Sequence, residues 1–212
     1  GCFSSMNAVV SSSPVPEAVD VIVQLVGIAP GSALDRLRAQ REQARTQAQQ
    51  SYLALFAPAE PVAGDFEIAD RFAIAAFVAG LHGQPEVARL YAEALVEQGV
   101  ARAIEAEVAR GATQGPYGRY PEGPLSVEDA AGPVYAVDAA QRAVLGERLS
   151  AGLAHAHLLV FHPRDASPAA LQALLDAGWR TTEIVTLSQL VAFLAFQIRV
   201  VIGLRALATP SA

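Results

Sequence analysis

Two stretches of this chain are apolar right round a helix. Residues 72–81 read FAIAAFVAGL, with Asp70 and Arg71 just ahead and no charge inside. Residues 184–207 are the most apolar run, interrupted by Ser188, Gln189, Gln197, Arg199 and Arg205. A surface helix needs only one apolar stripe, so a helix apolar on all sides has to be enclosed. An arginine deep inside a spanning helix is costly, which favours a buried core helix over a membrane span for 184–207. Any fold for this chain is therefore one in which other elements wrap these two.

Those other elements also read as helices. Residues 17–25 make a short apolar helix ending at Gly27. Ser32 with Asp35 forms a capping box opening a helix over 33–57, stopped by Pro58 and Pro61. Asp65 is placed to cap the helix that runs through Leu81. Gly83 and Pro85 turn the chain into a fourth helix that runs to about Gly111. Residues 111–136 are dense in Gly and Pro, have no period and read as a loop, with Tyr117, Tyr120 and Tyr135 available to pack it. Helices resume over 137–161, 168–177 and 181–207. Asp165 or Ser167 starts the second of these, with Pro168 at its first position, and Gly178 ends it. Thr181 or Thr182 caps the last, with Glu183 in its first turn, where the dipole favours an anion. No stretch alternates as a strand does. The expectation is an all-α protein with helical halves at 17–110 and 137–208.

Composition removes several functions. The net charge is -6, so nothing offsets phosphate repulsion, and neither nucleic acid nor an anionic membrane is expected as a partner. All fifteen cationic residues are arginine, which excludes a lysine Schiff base, a lysine general base and a P-loop. The single cysteine, Cys2, excludes an internal disulfide and a thiolate zinc site. A cysteine after a small residue suggests a lipoprotein site, but the apolar stretch that should precede it is absent. The only methionine is Met6, so whether residues 1–5 are native stays open.

Several motifs resemble one family. HLLVFHPRDASPAALQALLDAGWRTTEIVTLSQLVAFLAFQIRVVIGLRAL is similar to the C-terminal part of carboxymuconolactone decarboxylase-like, peroxidase-related proteins. SYLALFAP and DRFAIAAFVAGLHG resemble their N-terminal helices, and the likeness covers most of residues 30–208. It is nearest to a subgroup, the CMD domain proteins, that lacks the family's cysteine pair. The resemblance implies an alkylhydroperoxidase D-like helical fold and a bacterial origin. Thiol-active members use a glutamate, a Cys-x-x-Cys pair and a following histidine. The thiolate attacks peroxide, the second cysteine closes a disulfide, and the acid and base move protons. Laid on this chain after LHG, that pattern puts Gln84 and Val87 at the cysteines, Tyr91 at the histidine and Phe72 at the glutamate. None of the four can do the original work. A small shift of register would offer Asp70 or Glu86 as a carboxylate, but no register offers a cysteine.

Other chemistry is less well marked. In AHAHLLVFH, His155 and His162 share a helix face and His157 points elsewhere. A metal site would also need carboxylates nearby, and His82 with Asp70, Glu86 or Glu93 does not assemble from the sequence, so no metal and no cofactor are expected. Arg199 lies among apolar neighbours. The expectation is a buried ion pair with Glu183, Asp176 or Asp70, and the sharper alternative is an anchor for an acidic ligand. Phe193, Phe196 and Val200 read as core, and Trp179 as a plug in a domain or subunit seam.

Two functions are expected. The first is a cytoplasmic structural or accessory protein, homo-oligomeric or paired with a cysteine-bearing sister protein, as the resemblance implies. The second is a cofactor-free enzyme or binder of a small, acidic molecule in a pocket near His82, Gln84, Tyr91 and Arg199.

Overall fold

The computed structural model describes residues 27, 29–39, 42–59, 66–113, 115 and 134–208. The expected helix at 17–25, the Asp65 cap, Tyr117 and Tyr120 fall outside them. The described residues hold nine α-helices and no strand, so the chain is all-α. They are α1 (Ala33–Ala39), α2 (Glu42–Phe56), α3 (Ile68–Leu81), α4 (Pro85–Ala92), α5 (Gln98–Gly111), α6 (Ala139–Leu145), α7 (Glu147–Phe161), α8 (Pro168–Asp176) and α9 (Thr181–Ala208). A 3-10 turn, Pro163–Asp165, links α7 to α8.

The all-round apolar helix is the hub. Every residue of α3 from Ala73 to Ala79 is buried. The helix packs against α2, α4, α5, α7 and α9. Its small residues let neighbours approach closely: a Cβ on Gly80 would lie 2.6 Å from a methyl of Val108 on α5. One continuous apolar cluster runs from Leu55 through α3 to Ile198, so the two helical halves share a core.

Local chemistry sets most helix ends. The Asp35 N–H donates to Ser32 Oγ at 3.2 Å, one half of the expected capping box, while Asp35 Oδ2 accepts from the Gly31 N–H at 2.8 Å rather than from Ser32, whose N–H goes to Ala29 O. Asp138 Oδ2 caps α6 by accepting from Ala140. Ser167, rather than Asp165, caps α8, with Pro168 following. Glu183 Oε1 accepts the Arg180 N–H ahead of α9.

Two expected long helices are broken. The one over 85–111 stops at Ala92 and restarts at Gln98. Between them the chain tightens, with N–H groups of Ala94 and Leu95 reaching back three residues, and Leu95 turns into the core. The break lets α4 and α5 each lie along α3. The helix over 137–161 is divided at Gly146, whose φ of 84° suits glycine alone at little cost.

The last helix, α9, buries Leu187, Leu190, Leu194, Ile198 and Val201 against the core. Its opposite side leaves Val185, Phe196 and Ile202 exposed. Phe196 is therefore not core, in contrast to Phe193. By length and composition alone α9 could cross a membrane, and 39% of its most apolar window is buried inside the protein.

Gly152 on α7 faces Trp179, and an added Cβ would lie 2.6 Å from the indole. Gly152→Ala should lose about 1–3 kcal/mol, because a rigid ring has to move. Gly99→Ala meets open space on α5, and should gain about 0.5–1 kcal/mol. Chemical denaturation followed through Trp179, the single tryptophan, checks both.

Candidate functional site

The position expected to hold the thiol pair is packed core on one side and turn on the other. Leu81 ends α3, Gly83 turns the chain at φ 70°, and Gln84 stands ahead of α4 without capping it through its side chain. Val87 is completely buried. Tyr91 is buried too, and its hydroxyl donates to Gln197 Oε1 at 2.6 Å. Phe72 lies 4.9 Å from Phe56 and 6.2 Å from Tyr91, and Phe56 lies 5.1 Å from Tyr91, centroid to centroid. Burial holds the Tyr91 hydroxyl well above its usual range, against the lowering effect of its bond to Gln197. It stays protonated as a donor and cannot serve as a base at ordinary pH.

The residues expected to line a pocket there do not join. Among the described residues no hydrogen bond or ion pair links any two of His82, Gln84, Tyr91 and Arg199. Burial, and then the charge of Arg199, lower the His82 pKa, so its imidazole is neutral at ordinary pH. Arg199 itself is exposed, and its Nε donates to Ala195 O of its own helix at 3.3 Å. The buried ion pair expected of it is absent, because the α9 register that buries Leu194, Ile198 and Val201 turns position 199 outward. Its expected partners are engaged elsewhere. Glu183 pairs with Arg148 and Arg180, and Asp176 accepts from Gln172. Glu86 pairs with Arg205 at 2.6 Å on the surface.

A different set of residues ties α3, α7 and α9 together. Arg148 on α7 stacks over Trp179 at 4.5 Å, donates to Gly178 O and pairs with Glu183. The Trp179 indole N–H returns a bond to Arg148 O at 2.9 Å. Phe66 meets Trp179 edge-on at 4.8 Å, and Arg71 lies over Phe66 at 4.9 Å. Trp179 does plug a seam, between helices of one chain. The buried arginine is Arg71, at the head of α3, rather than Arg199.

A second buried set spans the Gly/Pro-rich loop. Glu107 on α5 is completely buried. Its carboxylate accepts from Arg110 Nη1 at 2.7 and 2.9 Å, from the Tyr135 hydroxyl at 2.9 Å and from the Asp138 N–H at 3.0 Å. The Tyr135 ring stacks on His157 at 4.5 Å, and His157 Nε2 lies 2.9 Å from Gly111 O. A carbonyl only accepts, so Nε2 carries the proton. Burial lowers the His157 pKa first, the Gly111 bond raises it, and His162 lowers it again. His155, His157 and His162 are all buried, and His157 and His162 stack at 6.0 Å. Among the described residues no group of three His, Cys, Asp or Glu side chains is placed to hold a metal.

Comparison with protein-family models, with curated proteins and with solved structures gives no significant match. The functional reading therefore rests on residues and geometry.

Among the described residues, Asp70, in the first turn of α3, is the one carboxyl pushed clearly upward, to about 6. Burial is the main cause, Glu67 adds to it and Arg148 opposes it. The folded chain thus holds this proton more tightly than the unfolded chain does. Its contribution to stability is full below the usual carboxyl range and is lost as pH rises through about 6. Asp70→Asn should raise stability near neutral pH by roughly 1 kcal/mol, after discounting for solvent around a half-buried group, and give no gain near pH 4. Thermal melts of both proteins across that range measure the difference.

Proposed function

We propose that this chain is a carboxymuconolactone decarboxylase/alkylhydroperoxidase D-like protein whose thiol-peroxidase position has become core. In this reading it works in the cytoplasm as a homo-oligomeric structural or accessory protein, with a cysteine-bearing sister protein as a further candidate partner. The family part is supported by the order of the quoted motifs and by the helix–turn–helix at Leu81, Gly83 and Pro85.

One observation carries the association. Leu171 and Leu175 on α8 and Val185 on α9 are exposed large apolar side chains. They border one groove with Thr181, Ile184, Ser188, Gln189 and Ala192, and among the described residues no ionised side chain lines it. Two copies of a chain with net charge -6 repel one another, and an uncharged patch is where they can meet with least penalty. The same acidity disfavours an anionic lipid surface.

Light scattering on the purified chain should give a dimer or larger. Val185→Glu and Leu171→Glu should shift it to monomer with helicity unchanged. Val144→Glu, on exposed α6, should change nothing. A monomeric native chain, or a mass indifferent to Val185→Glu, overturns the association. Peroxide turnover with a thiol reductant should be nil, and robust turnover that survives Cys2→Ser would overturn the inactive-site reading.

A further inference from the structure

Arg71 is 8% exposed and stands at the head of the buried helix α3. A guanidinium this deep is normally met by a carboxylate, because the charge has been taken out of water. Here it is not. Nη1 donates to Leu55 O at 2.8 Å, Nε donates to Phe66 O at 3.3 Å, and the Phe66 ring lies below. These are dipoles and a quadrupole, not a counter-charge. Among the described residues no carboxylate lies within ion-pair distance of Arg71. Glu183 acts on it only through space, being held by Arg148 and Arg180. Two of its five N–H donors are used by backbone carbonyls, which leaves three.

Arg71 also lines a groove of about 750 Å³ between α2 and α9. Ser51, Thr186 and Gln189 give it polar edges, and Leu55, Phe193 and Phe196 give it apolar ones. None of the Arg71 nitrogens is both buried and unsatisfied, and Arg71 is one of the residues that line this groove. The volume suits a small organic molecule, and a few polar groups in an otherwise apolar lining are how such sites fix orientation.

We propose that this groove binds an organic monoanion, with its carboxylate on Arg71 and its apolar body along Phe193 and Phe196. One cation, with no second among the described residues of the lining, balances one negative charge. A phosphate dianion would leave net negative charge beside a single guanidinium, with the Glu183 carboxylate already near. The flat fork of arginine matches a carboxylate with two parallel bonds, which lysine cannot supply. The groove shares Gln189 and Ala192 with the edge of the Leu171, Leu175 and Val185 face but uses none of those three side chains, so the proposal does not rest on self-association.

Calorimetric titration of the full chain with 4-phenylbutyrate tests it, on protein whose oligomeric mass has been measured. Saturable one-site binding is expected. The neutral amide of the same acid should bind about tenfold more weakly or worse, and phenyl phosphate should bind no better than the acid. Arg71→Lys should weaken binding and Arg71→Leu abolish it. Because those variants disturb a buried group, two exposed positions provide a second arm. Phe196→Ala should weaken binding several-fold, and Ala54→Trp should block the groove, both with native melting behaviour. Equal affinity for acid and amide, no saturable binding in the millimolar range, tighter phenyl phosphate, or indifference to both Phe196→Ala and Ala54→Trp would each overturn the proposal. A monomeric mass with selective acid binding would remove the association reading and leave this one standing.

Discussion

Burying one helix on every side is the constraint from which the rest of this structure follows. From Ala73 to Ala79, α3 offers no polar face, so five helices have to surround it. Each of them then needs only a stripe of apolar residues, and the remaining surface can be charged. The turn at 93–97 returns α5 to the same hub that α4 already covers. The close fit at Gly80 against Val108, and at Gly152 against Trp179, sets how near the surrounding layer can come. Transfer of the fully buried Ile74, Phe77 and Val78 from water contributes roughly 1.5–3 kcal/mol each, the main reason the hub holds.

Several polar groups inside this envelope occur in hydrogen-bonded sets. Glu107 is buried but has four donor bonds from Arg110, Tyr135 and Asp138, which join the chain on either side of the Gly/Pro-rich loop. Glu183, Arg148 and Trp179 close a second set between α7 and α9. Tyr91 and Gln197 form a third through a single bond, and Gln197 Nε2 is left buried without a partner. Arg71 is a buried cation whose partners are carbonyls and a ring. It also borders a groove, which is why the binding proposal belongs there.

Composition alone exposed the hub, because FAIAAFVAGL cannot present a polar side in any register. Caps were legible where a short polar side chain precedes a helical run, as at Ser32 and Ser167. The turn at 93–97 was not, since AEALVEQG contains no proline and its glycine comes after the break; burial of Leu95 decides it. Arg199 was misplaced because its apolar neighbours were counted along the chain instead of round the helix. The spacing of Leu187, Leu190, Leu194, Ile198 and Val201 fixes the inward face and leaves 199 outside. The same count on α5 would have flagged Glu107, which shares a face with Ala103, Ile104 and Gly111. Arg71 carried a weak signal, as the last charge before an apolar run. Its lack of a carboxylate depends on contacts from α2 and on Phe66, which local patterns do not encode.

The central claim is that Val87, just past the turn at Gly83, is closed core. Thiol labelling of Val87→Cys in a Cys2→Ser background tests it most directly, with Gln84→Cys as the accessible control. Val87 is completely buried and Gln84 is not. A water-soluble disulfide reagent should modify the cysteine at 84 quickly, and the one at 87 only at the rate of global unfolding. Rapid modification at 87 in the native protein, with the fold intact, would mean an open site where this account places packed side chains.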